Sequence, residues 1–183
     1  MINPANEWQP IVWLVVTLSV VWAAAWVDFR TFRIPNTIVL LGIALGMSIL
    51  TWGAGLEGLW QSLGGILVAL VLLFPFYVFG HMGAGDVKLM GAVGALLGPE
   101  QLLMALFITL VAAGLMGVAY ALTAWRRQGA TGPAKRYGQM LRFLWVTGRP
   151  SYIPPAQGEA MAVRLPVAVP IAIGSTAVIL WSL

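Results

Sequence analysis

Two carboxylates stand out because the chain has so few. Six of its 183 residues are acidic, and only Asp28 and Asp86 are aspartates. Each sits where a long apolar run gives way to a polar island. The first island reads Asp28-Phe29-Arg30-Thr31-Phe32-Arg33-Ile34-Pro35-Asn36, the second His81-Met82-Gly83-Ala84-Gly85-Asp86-Val87-Lys88. A carboxylate near lipid is costly, so such groups generally face a bundle interior or a wet cavity and mark function. Two that share a site titrate as a coupled pair, one ionised while the other keeps its proton. That is the requirement for hydrolysing a peptide bond with two aspartates. The ionised one takes a proton from water, and the protonated one donates to the scissile carbonyl.

The neighbours suggest supporting roles. Gly83 and Gly85 permit positive φ and a close backbone approach, so an extended substrate could lie against them. Lys88 is positioned to attract a substrate carboxylate or act on Asp86, and topological anchoring explains it equally well. Arg30 and Arg33 read mainly as topology, with orientation of Asp28 as the alternative. Pro35 limits any helix before it, and Asn36 suits the N-cap of the helix that follows. His81 is the single histidine. It could tune the dyad, although an ordinary interfacial histidine is the simpler reading. One histidine and no cysteine leave no basis for a metal site, and the motifs imply no cofactor.

The elements that must position these residues are membrane helices. The chain is 60% hydrophobic and 9% charged, against about 25% charged in a soluble domain, and its mean hydropathy is +0.90. The apolar runs are continuous rather than alternating, so the expected fold is all-α: a polytopic integral membrane protein of about six spans. The spans are placed at 10–27, 37–52, 58–79, 87–98, 101–124 and 165–183 of a single embedded domain, 1–183, with a long loop at 125–164. The fourth is too short to cross alone without tilt, a partly re-entrant path or a thin bilayer. Gly53-Ala54-Gly55 and Gly98-Pro99-Glu100 mark turns, and Pro75 marks a kink or helix end. Glu7 and no basic residue precede the first run, so it is expected to be retained rather than cleaved as a signal. The absence of cysteine rules out a disulfide framework.

Charge sets the topology. All ten Lys and Arg fall in alternate loops: Arg30 and Arg33 in the first, Lys88 in the third, and Arg126, Arg127, Lys135, Arg136, Arg142, Arg149 and Arg164 in the fifth. Glu7, Glu57 and Glu100 mark the other side. By the positive-inside rule the basic loops face the cytosol and both termini lie outside. The net charge of +4 is therefore topological and points to no nucleic acid. Trp8, Trp52, Trp60 and Trp181 then fall near the outer interface, Trp26 and Trp125 near the inner one. Asp28 and Asp86 end the first and third spans on the same cytosolic side.

On these residues the chain resembles the type IV prepilin peptidase family of intramembrane aspartic peptidases. Gly83-Ala84-Gly85-Asp86 matches its GxGD signature, and Asp28, Arg30, Arg33 and Ile34-Pro35-Asn36 resemble its first aspartate motif. The resemblance implies that Asp28 and Asp86 are the catalytic pair. It also implies that the substrate is a prepilin or prepilin-like protein whose short basic leader is removed at the cytosolic face of the bacterial inner membrane. Many relatives carry an N-terminal extension with paired Cys-x-x-Cys motifs associated with methyl transfer. Lacking these, the chain resembles the small peptidase-only branch serving Flp-type pili of tight-adherence systems, so methyl transfer is not expected. Membrane lipid and pilus or secretion assembly proteins are the implied partners.

Two other classes compete. A proton-coupled transporter would place ionisable residues at the bilayer midplane or show an internal repeat, and neither is visible. A structural subunit of a secretion complex would explain the topology but not the two aspartates. A presenilin-like enzyme shares GxGD but expects more spans and a Tyr before its first aspartate, where this chain has Val27. In the long loop, residues 135–147 mix basic and bulky apolar side chains as an interfacial helix would.

Overall fold

The computed structural model describes residues 9–78, 82–128, 133–147 and 165–182. It contains five helices among these: α1 (Gln9–Thr31), α2 (Asn36–Val78), α3 (Ala84–Gln128), α4 (Pro133–Thr147) and α5 (Ala168–Trp181). No strand occurs among the described residues. The stretches Pro10–Thr31, Asn36–Val78 and Ala84–Tyr120 are each long and apolar enough to cross a membrane. Their outward faces carry Leu67, Val71, Phe107 and Leu115, all more than 60% exposed. A helix surface of this kind suits a lipid environment, as a multi-pass membrane protein requires.

Both long helices are broken at one residue. Gly55 has φ 61° and Gly98 has φ 77°, conformations that a side chain disfavours. The expected turns are therefore present but shorter than a loop, with helix on either side of a single glycine. In α2 the break is a reversal. Gly46 packs against the Ala95 backbone, and Ser62 Oγ donates to the Ala95 carbonyl at 2.9 Å. Along a straight helix these two positions would lie about 24 Å apart. Both can meet Ala95 only if the chain folds back at Gly55. Pro75 is accommodated inside the helix, which continues to Val78.

The arm of α3 before Gly98 is the centre of the core. Residues 89–98 are all buried, with Leu89, Met90, Val93 and Leu96 fully enclosed. A helix apolar on all faces belongs inside a protein. Protein surrounds this arm, so its shortness raises no mismatch with lipid. Gly65 and Gly94 meet backbone to backbone, where neither could carry a side chain. After Gly98 the pattern becomes one-sided, with Leu102, Ala105, Leu106 and Thr109 buried at the i, i+3, i+4, i+7 spacing of an amphipathic helix.

The break in α3 frees carbonyls that two side chains recapture. Pro99 has no N–H to give Ala95, whose carbonyl instead accepts from Ser62. The Leu96 carbonyl, next in line, accepts from Trp13 Nε1 at 2.7 Å. A buried carbonyl left without a partner would cost roughly 1–3 kcal/mol.

The chain divides into two compact units: Met1–Ala113 with Pro166–Leu183, and Gly114–Leu165. The first holds α1, α2, most of the apolar part of α3, and α5. There α1 and α5 run antiparallel, since Asp28 meets Ala168 while Trp22 Nε1 donates to Thr176 Oγ1 at 3.2 Å. The second holds the end of α3 and α4. The interfacial segment expected at 135–147 is helical, from Pro133 to Thr147. Phe143, Leu144, Trp145 and Val146 are exposed on it.

Candidate active site

Asp28 lies in the last turn of α1 on the buried face formed by Thr17, Val21 and Ala24, and is itself only 5% exposed. A carboxylate is unfavourable at a helix C-terminus, where the backbone dipole is negative. Another helix compensates. Ala168 N donates to Asp28 Oδ2 at 3.2 Å. Ala168 is the first residue of α5, whose N-cap Val167 offers no side-chain acceptor. Asp28 thus caps α5 from a distance, satisfying an N–H that has no partner within its own helix. Its second oxygen remains an acceptor for other groups.

Asp86 occupies the opposite place, the first turn of α3, where an acidic side chain is favoured. Its backbone N–H donates to the Gly83 carbonyl at 3.1 Å, and Val87 N to the same carbonyl at 3.3 Å. The half-buried Asp86 side chain interacts electrostatically with the Asp28 carboxylate. The two aspartates are therefore near enough for one charge to act on the other, although 58 positions separate Asp28 from Asp86 in the sequence.

The islands around them also meet. A Cβ on Gly85 would lie 3.4 Å from Ile34 Cβ, and Lys88 Nζ donates to Asn36 Oδ1 at 3.2 Å. From the sequence, Lys88 was expected to serve substrate, Asp86 or topological anchoring, and Asn36 to serve as a helix cap. In the structure Asn36 is the first residue of α2, and its side chain is engaged by Lys88. Pro35 supplies the carbonyl that Ile38 N reaches at 3.1 Å.

The expected positive φ falls elsewhere. Neither Gly83 nor Gly85 adopts it, while Phe32, at the end of α1, has φ 51°. The two glycines matter here for the side chain they lack. A Cβ on Gly83 would stand 3.0 Å from Asp86 Oδ2, and Gly85 makes room for Ile34. Arg30 is exposed, with its guanidinium 4.3 Å over the Trp26 ring. Arg33 is exposed, and its carbonyl accepts from Thr31 Oγ1 at 3.0 Å. His81 lies outside the described residues. No group of three or more potential metal ligands occurs among the described residues. Ala168 was not legible as a site residue, because it contributes a backbone N–H. The flanking Pro166 and Pro170, which mark a helix start, were the available signal.

The arrangement offers two neighbouring carboxylates, each reached by a backbone donor: Asp28 by Ala168 and Asp86 by Gly83. Such a pair can hold a water between an acceptor and an acid.

Residues 15–118 match the model of the type IV leader peptidase family. The chain is 31% identical over 140 residues to the prepilin leader peptidase/N-methyltransferase of Bacillus subtilis, an alignment covering 72% of this chain and 54% of that protein. The chain thus spans about half the length of the curated relative it matches. No solved structure matches it. The matched stretch contains both aspartates and extends over more than half of the chain, so this protein belongs to the type IV leader peptidase family.

Proposed function

We propose that the protein is a membrane aspartic endopeptidase that removes the short basic leader from prepilins or prepilin-like proteins. In this reading Asp28 and Asp86 activate water and protonate the scissile carbonyl. The observation that carries it is the contact between the two aspartate-bearing islands, Ile34 against Gly85 and Lys88 on Asn36, which supports bringing Asp28 and Asp86 near one another. Six spans support a cytosolic site. The reversal at Gly55 and the break at Gly98 divide α2 and α3 into two arms each, and the alternation of basic loops puts both aspartates inside and both termini outside. The setting is the bacterial inner membrane, and Flp-type prepilins of pilus assembly systems are the substrate class. Gly83 and Gly85 border the edge along which the substrate backbone would lie. The relative's name includes N-methyltransferase; for this chain we assign hydrolysis without methyl transfer.

The test is cleavage of a Flp-type prepilin in membranes by the parent, Asp28→Asn and Asp86→Asn proteins at equal abundance. Asn keeps size and an acceptor oxygen but cannot exchange the proton. Both variants are expected to lose at least about 1,000-fold in rate, since each removes one half of the acid–base pair. Cleavage by either variant at the parental rate would refute the two-aspartate mechanism. Incubation of the cleaved product with a labelled methyl donor checks the second point, and incorporation of label would overturn it.

A further inference from the structure

The contacts that join the two islands are few and specific. The turn after α1 carries Phe32 in a left-handed conformation, which turns the chain toward Ile34, Pro35 and Asn36. Ile34 then packs over the side-chain-free edge of Gly85. Two residues beyond Ile34 and three beyond Gly85, Lys88 Nζ donates to Asn36 Oδ1 at 3.2 Å. This bond joins residues 52 positions apart. Among the described residues it is the only side-chain hydrogen bond between the α1–α2 turn and the start of α3. Lys88 and Asp86 are two positions apart on one helix and so point to different sides. Lys88 therefore acts on Asn36 without competing for the side of the helix that carries Asp86.

We propose that Lys88 and Asn36 form a latch that holds the α1–α2 turn against the N-terminus of α3 and so sets the separation of Asp28 and Asp86. Lys88 and Asn36 are positioning residues. The latch is exposed, so its contribution to overall folding is small. Its contribution to reaction geometry is larger, because displacement of a reacting group by about 1 Å costs on the order of 100-fold in rate. The assignment rests on Asp28 and Asp86 being the reacting pair.

The absence of native cysteine makes the latch measurable without catalysis. The 3.4 Å between Ile34 Cβ and a Cβ on Gly85 is close to the spacing of a disulfide. Full-length Ile34→Cys/Gly85→Cys protein in membranes is expected to cross-link readily under mild oxidation. Adding Lys88→Met or Asn36→Ala is expected to slow that cross-linking several-fold. In the otherwise unmodified protein, Lys88→Met and Asn36→Ala are each expected to lower kcat for prepilin by about 10- to 100-fold with KM little changed. The double variant should lose no more than either single one, because a broken latch cannot be broken twice. Lys88→Arg keeps a donor within reach and should recover much of the activity.

Additive losses, a loss confined to KM, or parental cross-linking in the Lys88→Met background would each overturn the latch. If Asp28→Asn still cleaves while Lys88→Met slows cross-linking, the latch stands as a contact and the catalytic reading falls instead.

Discussion

The two aspartates are the same residue placed at opposite ends of helices, and the surroundings of each answer a different need. Asp28 stands at a C-terminal end, where its charge is unwelcome. It is almost fully buried and tied to the first N–H of α5. Asp86 stands at an N-terminal end, where its charge is welcome, and the backbone donor to its carboxylate comes from Gly83, just before its own helix. Its turn is closed by its own neighbour, Gly83. Asp28 is thus built into the packing of α1 on α5, whereas Asp86 is presented on a short glycine-bordered turn. The carboxylate of Asp28 ties two helices together, whereas that of Asp86 is held within its own turn.

The sharpest way to break this comparison is to truncate each carboxylate and measure folding. Asp28→Ala leaves the Ala168 N–H buried without an acceptor, and an unsatisfied buried group costs about 1–3 kcal/mol. Asp86→Ala removes a favourable helix-terminus charge worth about 0.3–1 kcal/mol. Thermal midpoints in detergent are expected to fall clearly for Asp28→Ala and slightly for Asp86→Ala. Asp28→Asn should fold nearly as the parent does, because its amide oxygen still accepts from Ala168. Equal losses for the two alanine variants would remove the distinction.

The presentation of Asp86 can be probed one side chain away. Gly83→Ala would place a methyl 3.0 Å from Asp86 Oδ2, a contact tight enough to push the carboxylate by a few tenths of an ångström. Gly85→Ala would meet Ile34 at 3.4 to 3.7 Å, ordinary van der Waals distances. Prepilin cleavage is expected to fall about tenfold in Gly83→Ala, a displacement effect, and less in Gly85→Ala. The reverse order would show that contact with Ile34, rather than freedom of the Asp86 carboxylate, is what the glycine pair protects.

What could be read from the sequence follows from what leaves a mark on residue type. Asp28 and Asp86 were conspicuous because carboxylates are rare in an apolar chain. Gly55 and Gly98 were legible as breaks because glycine alone takes positive φ without strain. The partner of Asp28 was invisible, since a backbone N–H looks the same at every residue and Ala168 carries no polar signal. The capture of the Leu96 carbonyl by Trp13 was equally hidden, since an indole inside an apolar run gives no sign of its acceptor. The short arm before Gly98 looked like a deficient span because hydropathy reports apolar character without saying whether protein or lipid covers it. Enclosure by neighbouring helices is a property of packing, and a single chain read in order does not contain it.

The smallest effect concerns the turn that leaves Asp28. Phe32 holds φ 51° while its side chain stays 42% exposed, so burial compensates the conformation only in part. A non-glycine residue in this region costs about 1–2 kcal/mol. Glycine would relieve that strain but add about 0.5–1 kcal/mol of chain entropy to be lost on folding. Phe32→Gly is therefore expected to shift the thermal midpoint only slightly, and upward. If the midpoint instead drops as far as in Asp28→Ala, the aromatic ring is holding the end of α1 in place. The anchoring of Asp28 would then depend on the turn behind it as much as on the N–H of Ala168 in front.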